Sequence, residues 1–183
     1  MTTTDTHYRT RCGSPLGELT LLATDAGLRA VVWEGDEPDV AGLPADGEIV
    51  DRSDHPVLAA AATQMAEYFD SRRCDFDVPL DLRGTQFQQA AWRALAAIPA
   101  CETTTYAAQA ARIGRPKAVR AVGSANGRNP VPIVLPCHRV VGSDGALTGY
   151  SGAGGLDTKQ FLLDHEQKSC TADGKPAGLT ACC

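Results

Sequence analysis

The sequence predicts a mixed α/β chain of two small domains, an α/β domain followed by a helix-turn-helix domain. Three short apolar runs separated by tight-turn sequences, and then a helical stripe, indicate the first domain. The second domain is indicated by capped helices, two of which are joined by a short glycine-containing turn. We expect domains at residues 1–82 and 83–168, and a flexible tail at residues 169–183.

Turn residues divide the first domain into its elements. The segment from Gly13 to Gly17 and the turn from Asp25 to Gly27 predict a meander with strands at residues 7–12, 18–24 and 28–33. An acidic connection with several glycines and prolines follows, with room for a short strand near Ile49. Apolar residues at helical spacing predict a helix over residues 56–71. Alternation over residues 76–80 predicts an edge strand, the position where a proline is tolerated.

Helix-capping residues define the second domain. Thr85, with Gln88 three residues later, forms a capping-box signature for a helix that ends before Pro99. Thr105 caps a second helix that ends near residue 113, and a third is predicted over residues 117–126 as the recognition helix of a helix-turn-helix. The remaining predicted elements are an extended strand through residue 137 and a last helix over residues 156–167.

Composition indicates an ordinary globular protein. Hydrophobic residues make up 43% of the chain, but no apolar window is long enough to span a bilayer, and the N-terminus lacks a basic region followed by an apolar one. We therefore expect a cytoplasmic protein without a membrane partner. The seven cysteines are irregularly spaced and include no C-x-x-C pair, which argues against a disulfide framework and against a ribbon-type zinc site. Reduced thiols, no metal and no cofactor are the expectation.

The charge of the chain is unevenly distributed. The formal net charge is −5, yet no acidic residue lies between Glu102 and Asp144. That span carries six basic residues: Arg112, Arg115, Lys117, Arg120, Arg128 and Arg139. A local basic segment of this kind favours contact with phosphates, although a solvated charged face is the alternative. In the third helix the small residues Ser124 and Ala125 would let the backbone lie close to a nucleic acid.

One segment combines a nucleophile, a base and apolar neighbours. Cys137 follows Ile133, Val134 and Leu135, so its thiol should be largely desolvated, which raises the pKa of a cysteine unless a base or a positive charge opposes it. His138 is the candidate base. In an extended chain the two side chains would point to opposite sides, so a water bridge is the simplest link unless Pro136 bends the backbone. A buried structural cysteine is the alternative interpretation.

The order of these residues resembles that of a known family. The run Pro-Cys-His-Arg-Val at residues 136–140, preceded by Asn-Pro-Val-Pro at 129–132 and followed by Gly-Tyr-Ser-Gly at 149–152, closely resembles the O6-alkylguanine-DNA alkyltransferases. This resemblance implies a ribonuclease H-like first domain and a winged helix-turn-helix second domain that enters the minor groove. It also implies direct-reversal repair, in which an O6-alkylguanine is flipped out of duplex DNA and its alkyl group passes irreversibly to the protein.

The resemblance implies roles for individual residues. Cys137 would be the alkyl acceptor, His138 a water-linked base, and Glu166 the carboxylate that orients His138. Asn129 would organise the strand to Cys137, and Tyr106 would help to rotate the nucleotide and contact the guanine. Arg120 would fill the space of the extruded base. The alkylguanine pocket would include Pro132, Val140, Tyr150 and Ser151.

Other readings of the sequence lead to other expectations. Some relatives hold a structural zinc in the first domain, but His7, Cys12, His55 and Cys74 do not reproduce that ligand set, so no zinc is predicted. A damage-binding protein without catalysis is one alternative, although relatives of that kind lack the acceptor cysteine. A helix-turn-helix transcription factor with an incidental buried thiol is another. The expected partner is double-stranded DNA containing O6-alkylguanine, bound by a monomer, with cooperative binding on DNA left open.

Overall fold

The computed structural model describes residues 6–35, 49–150, 152 and 154–171. The first domain contains a four-stranded sheet in the order β3-β2-β1-β4. Its strands are β1 (His7–Ser14), β2 (Gly17–Thr24), β3 (Gly27–Trp33) and β4 (Ile49–Asp51). The first three form the predicted antiparallel meander, and β4 pairs in parallel with β1. The short strand expected near Ile49 is therefore present at the edge of the sheet.

Helix α1 (Pro56–Phe69) covers one face of this sheet. Alternate residues of β2 point to that face because successive side chains of a strand lie on opposite sides. The shared core contains Leu19, Leu21, Ala23, Leu58, Ala61 and Met65, all fully buried. This packing is what fixes α1, and with it Tyr68 near its C-terminal end, relative to the sheet.

The segment at residues 76–80 is not the edge strand that we predicted. It makes one isolated bridge to β3, between Leu28 and Leu80, and the Leu28 N–H donates to Pro79 O at 2.7 Å. Pro79 has no N–H with which to continue a ladder. Gly27 permits the close approach, because a Cβ at this position would lie 2.6 Å from Pro79 O. The alternation of apolar and polar residues at 76–80 therefore reflects partial burial of a loop and not pairing of a strand.

Three helices form the body of the second domain: α2 (Gln86–Leu95), α3 (Tyr106–Arg112) and α4 (Val119–Asn126). The capping box at Thr85 is confirmed, since its hydroxyl accepts from Gln88 N and the Gln88 side chain accepts from Thr85 N. Helix α2 ends earlier than predicted, because the Ile98 N–H bonds three residues back to Leu95 O and tightens the chain into a turn.

Buried polar pairs join the helices of the predicted helix-turn-helix. The Gln109 and Asn126 side chains exchange two hydrogen bonds, at 2.7 and 3.0 Å, between α3 and α4. The Trp92 indole donates to Ala125 O at 2.8 Å and ties α2 to α4. A small parallel pair, β5 (Thr104–Thr105) and β6 (Val140–Val141), closes the domain beside α3.

The last helix, α5 (Leu156–Thr171), is longer than predicted. Its final turn includes the start of the segment that we expected to be a tail, so that part of the prediction is wrong. Residues 172–183, with Cys182 and Cys183, lie outside the described residues. None of the helices in the described part of the chain has the length and hydropathy needed to cross a membrane.

Candidate active site

Cys137 lies on a short 3₁₀ turn, Cys137–Arg139, between the two domains. The extended conformation that we predicted here is wrong. Pro136 has its φ fixed at −79° and has no N–H to donate to a strand, and the Arg139 N–H donates back to Pro136 O at 3.0 Å, which closes the turn. Cys137 and His138 are therefore placed by a tight turn and not by a pleated strand.

Asn129 organises the chain that leads to this turn. Its side-chain amide donates to Leu135 O at 2.7 Å, and its carbonyl oxygen accepts from Val131 N at 3.1 Å. Between these contacts Ile133 has a φ of +73°, a conformation that is strained for a β-branched residue. Such strain persists only where the surroundings hold the backbone firmly. The loop before Cys137 is thus fixed on both sides by one side chain.

His138 is bound to a buried carboxylate on α5. Its Nε2 atom lies 2.8 Å from Glu166 Oε1, and both side chains are almost completely buried. Arg139 holds the same carboxylate with two short contacts, Nη2 to Oε1 at 2.8 Å and Nε to Oε2 at 2.9 Å. The second ring nitrogen, His138 Nδ1, has no hydrogen-bond partner among the described residues. His138 is therefore held by Glu166 at Nε2 and can accept or release a proton at Nδ1.

Electrostatics in this cluster keep histidine neutral and the carboxylate ionised. Burial lowers the pKa of His138 below its ordinary value of 6.5, although Glu166 acts to raise it. Burial would raise the pKa of Glu166, but the hydrogen bonds and charges of His138 and Arg139 outweigh it, and the pKa falls well below its ordinary value. Neutral His138 is the protonation state that can accept a proton.

The Cys137 thiol is only 7% exposed. Burial raises the pKa of Cys137 above its ordinary value of 9.0, while the Asn129 side chain and the Lys159 ammonium both favour the thiolate. Lys159 is itself fully buried on α5, where Nζ donates to Val140 O at 2.6 Å and to Thr148 O at 2.7 Å. The sulfur thus lies among apolar side chains with one cation nearby.

Two tyrosines complete the surroundings of the thiol. The Tyr106 hydroxyl donates to Thr148 O at 2.8 Å and lies 3.4 Å from Lys159 Nζ. The Tyr150 hydroxyl is buried and has no hydrogen-bond partner in the described part of the chain. Burial raises the pKa of both phenols, and the Cys137 sulfur adds to this effect. Both hydroxyls therefore remain protonated, and the Tyr150 hydroxyl can donate to a bound molecule, whereas Tyr106 would have to give up its bond to Thr148 O to do so.

Both domains match those of a known protein family. The model of the family described as 6-O-methylguanine DNA methyltransferase matches with its ribonuclease-like domain at residues 7–82 and with its DNA-binding domain at residues 86–168. The chain belongs to the 6-O-methylguanine DNA methyltransferase family. The resemblance drawn from the motif around Cys137 is confirmed, and so is the fold class, a ribonuclease-like α/β domain followed by a winged helix-turn-helix DNA-binding domain.

Relatives of the chain cover almost its whole length. The methylated-DNA–protein-cysteine methyltransferase of Mycolicibacterium paratuberculosis is 45% identical over 175 residues, which span 94% of this chain and 96% of the relative. The constitutive enzyme of the same name from Bacillus subtilis is 44% identical, with 89% and 97% of the two chains covered. These matches leave no large part of either relative unaccounted for.

Solved structures of a mycobacterial relative have the same fold. The crystal structure of Mycobacterium tuberculosis O6-methylguanine methyltransferase superposes with a TM-score of 0.77 at 40% identity, covering 91% of this chain and 96% of that one. The structure of the M. tuberculosis protein in complex with DNA gives a TM-score of 0.74 at 38% identity, with 93% and 95% covered.

The residues predicted to bind DNA lie on an exposed face, except for Tyr106, which is half-buried, and Ala125. Six of the predicted contacts are exposed around α3 and α4: Arg112, Arg115, Lys117, Arg120, Ser124 and Arg128. Arg128 also donates to the Ser124 hydroxyl at 2.8 Å. Ala125 does not belong to this face, because it is only 2% exposed and its carbonyl accepts from Trp92. Ala125 lies three residues after the fully buried Val122, on the inward face of α4.

The predicted pocket residues are only partly described. Pro132 and Val140 are buried beside the thiol-bearing turn, and Tyr150 is half-buried. Ser151 lies outside the described residues. Within the described ranges no three His, Cys, Asp or Glu side chains come together as a metal site would require.

The bonding state of the cysteines departs from expectation. Cys12 and Cys137 are free thiols, but Cys74 and Cys101 are disulfide-bonded. We predicted reduced thiols because the spacing shows no pattern. The spacing of cysteines along the chain cannot reveal two that become neighbours only when the domains pack. Cys74 and Cys101 line the same small cavity beside Glu166.

Three side chains around the site were not identified from the sequence: Lys159, Arg139 as a ligand of Glu166, and Tyr68. A signal existed for Lys159, since it shares one face of α5 with Leu162 and Glu166, three and seven residues later, and Leu162 is fully buried. A lysine in a buried stripe needs acceptors, and β6 and Thr148 provide them. Nothing local to Tyr68 indicates its contact with α5.

Proposed function

We propose that this chain repairs O6-alkylguanine in duplex DNA by transferring the alkyl group to Cys137, once per molecule. The observation that carries the proposal is the arrangement of the free Cys137 thiol beside His138, whose far ring nitrogen is held by the buried Glu166 carboxylate. Relatives that cover nearly the whole chain are named methylated-DNA–protein-cysteine methyltransferases. A thiol without such a base would stay protonated in these apolar surroundings.

The transfer proceeds as a displacement at the alkyl carbon. His138 accepts the Cys137 proton through a water molecule, and Glu166 stabilises the imidazolium that forms. The sulfur then forms a bond to the alkyl carbon while the bond from that carbon to guanine O6 breaks, and the electron pair of the broken bond stays with the guanine. The guanine gains one proton and the His138 imidazolium gives one up, so the proton that the sulfur lost is accounted for. No oxidant, reductant or further reagent is needed.

Guanine leaves more easily when a donor meets its developing negative charge. We assign this role to Tyr106, whose protonated hydroxyl lies next to the Lys159 ammonium and near the thiol and would exchange its bond to Thr148 O for one to the guanine. Tyr150 offers a second buried hydroxyl. With Pro132, Val140 and Ser151 these residues form the proposed pocket for the flipped base, whose extrusion costs a few kcal/mol.

Contacts with DNA offset the free energy that extrusion of the nucleotide requires. Arg120 is the exposed long side chain in the first turn of α4, and we propose that it fills the space that the flipped nucleotide leaves. The other exposed basic residues around α3 and α4 are proposed phosphate contacts: Arg112, Arg115, Lys117 and Arg128. Ser124 lies on the same exposed face of α4, where the backbone can approach the groove.

Stoichiometry tests the proposal directly. A duplex that carries an excess of labelled O6-methylguanine should lose about one methyl group per protein molecule, since water does not readily displace a thiolate from a thioether carbon. Mass spectrometry should find the label on the peptide that contains Cys137. Cys137→Ser should abolish transfer and keep affinity for the alkylated duplex, whereas Cys12→Ser, at a second free thiol of the described part of the chain, should behave as wild type. Repeated turnover, or transfer by Cys137→Ser at the wild-type rate, contradicts the proposal.

Assembly and location are further parts of the proposal. We expect a monomer in solution, because the described site is formed by residues of one chain. Its place would be a reducing compartment such as the cytoplasm, since oxidation of the Cys137 thiol removes the nucleophile. Sedimentation in the presence and absence of duplex DNA measures the oligomeric state and any cooperative binding.

A further inference from the structure

Tyr68 connects the first domain to the buried carboxylate of the second. It lies near the end of α1 and is only 1% exposed. Its hydroxyl donates to Glu166 Oε1 at 2.9 Å, across 98 residues of sequence. The oxygen that accepts this bond is the one that binds His138 Nε2 at 2.8 Å. One carboxylate oxygen therefore serves the proposed base and a tyrosine from the other domain.

Other groups already fix the position of this carboxylate. The Arg139 guanidinium binds both oxygens and is itself held by Ile98 O at 2.6 Å and by Cys74 O at 3.3 Å. The Cys101 N–H donates to Oε2 at 3.4 Å. Because Glu166 is held without Tyr68, the hydroxyl has its main effect on the charge of Oε1. That effect passes to the imidazole bound there.

The Tyr68 ring is held so that its hydroxyl can only point to this site. It packs against Phe69, Phe76 and His165, with ring centroids 5.2, 5.6 and 5.2 Å away. Burial raises the pKa of Tyr68 well above its ordinary value, and the negative charge of Glu166 adds to the rise. The phenol therefore stays protonated, and it can act only as a donor to the carboxylate at neutral pH.

We propose that Tyr68 is a positioning residue for alkyl transfer, whose hydrogen bond weakens the hold of Glu166 on the His138 proton and so keeps His138 ready to accept the proton of Cys137. This inference rests on the proposed function. Several charged or titratable groups face the His138–Glu166 pair. They are Arg139 from the 3₁₀ turn, Tyr68 from α1, and Lys159 from α5. Of these, Tyr68 is the neutral group and belongs to the first domain.

Removing the hydroxyl has a defined electrostatic consequence. In Tyr68→Phe the carboxylate keeps Arg139 but loses one donor, so more negative charge remains on Oε1 and the imidazolium of His138 is more stable. His138 then loses its proton at higher pH. The rise of the transfer rate with pH should move upward by about 0.5 unit, and below that rise the variant should be about threefold slower than wild type.

The experiment measures single-turnover transfer from O6-methylguanine duplex against pH for wild type, Tyr68→Phe and Tyr8→Phe. Tyr8→Phe makes the same chemical change in the first domain, at a ring that stacks on His55 and does not contact Glu166. It should match wild type. In the same samples ¹⁵N NMR follows the titration of His138, one of four histidines, which is assigned by its loss in His138→Gln. Tyr68→Leu, which also lacks the hydroxyl, gives a second measurement if Tyr68→Phe does not fold.

An upward shift in both the rate profile and the His138 titration supports the inference. Tyr68→Phe with an unshifted rate profile and unshifted titration overturns it, whatever happens to thermal stability, because a purely structural role changes stability and leaves the titration alone. A downward shift also overturns it. Failure of the proposed function would be distinct, since wild-type protein itself would then show no label on Cys137.

Discussion

Whether Cys137 reacts depends on the balance between its burial and the charges around it. The apolar neighbours that exclude water also oppose ionisation, and they leave the thiol a poor nucleophile by itself. The effect of burial on the Cys137 thiol is opposed by Asn129, by Lys159 and by the His138–Glu166 pair. Among the described residues that act on the sulfur, Lys159 is a cation that the sequence analysis did not identify, and burial lowers the pKa of its ammonium.

Lys159→Met should slow transfer at neutral pH by about tenfold, because the pKa of Cys137 rises when the nearby ammonium is lost, and each unit reduces the thiolate about tenfold. The rate should recover in part as the pH is raised. Single-turnover rates between about pH 6 and 10 measure this. Lys168→Met, at an exposed lysine of the same helix, should have no effect. A Lys159→Met rate that is low at every pH would assign Lys159 to folding alone.

Glu166 should make the protein sensitive to acid. Its pKa in the folded state lies below the ordinary value of 4.5, so its contribution to stability is fully present above that pH and is lost as the pH falls toward the folded-state value. We expect the Tm of wild type to fall more steeply below about pH 4.5 than that of Glu166→Gln. Glu166→Gln should itself be less stable at neutral pH, by about 3 kcal/mol, since it leaves Arg139 buried without a counterion. Parallel Tm curves would contradict this prediction.

Among the elements, the α3–α4 pair carries most of the residues that we propose as DNA contacts. The buried Gln109–Asn126 pair fixes the two helices against each other, and α4 turns its small exposed residues and Arg120 outward. Val122 and Ala125 face inward. These two residues are three positions apart and share one face of the helix, so a rotation of α4 about its axis would exchange its exposed and buried side chains. The packing against Trp92 prevents that rotation.

Arg120→Ala should slow repair of an alkylated duplex by about tenfold, because the vacated stack then stays unfilled and extrusion costs a few kcal/mol. Reaction with free O6-alkylguanine base, which needs no extrusion, should change little. Comparing the two rates isolates the contribution of the finger. Arg93→Ala, at an exposed arginine on α2, serves as the matched control. Equal losses on duplex and free base would show that Arg120 acts elsewhere.

At the scale of the whole molecule, the site lies where the two domains meet. The Val31 N–H of β3 donates to Pro130 O at 2.9 Å, the Tyr68 hydroxyl reaches Glu166, and Arg139 reaches Cys74 O. The first domain contributes no acceptor and no base, but it supplies several of the groups that hold them. The role that we propose for it is to position and insulate the Cys137–His138 pair.

The cysteines near this boundary give a prediction about the whole chain. We expect Cys74 and Cys101 to be bonded to each other, which would tie the first domain to the loop before β5. Reduction should then lower the free energy of unfolding by about 3 kcal/mol, as measured by denaturant titration with and without reductant. Cys12→Ser should not change this difference. Peptide mapping without reductant that links either cysteine to the C-terminal segment would overturn the pairing.

Local signals in the sequence determined most of the elements. The turns around Gly17 and Gly27 placed the meander, the Thr85 capping box started α2, and Thr105 started α3. These signals succeed because turn and cap geometry depends on residues within one turn of one another. The motif around Cys137 was equally local, and it was sufficient to identify the family.

Only the tertiary structure decided the contacts that join distant residues. Alternation at 76–80 could not distinguish a paired strand from a half-buried loop, and the turn at Cys137 depended on Asn129 and the strained Ile133 backbone. Glu166 was one of several candidates for a carboxylate until α5 packed against the 3₁₀ turn and α1 brought Tyr68 to the same oxygen. Such contacts depend on how whole helices pack against each other. The spacing of residues within one helix does not indicate which side chains of another helix they will contact.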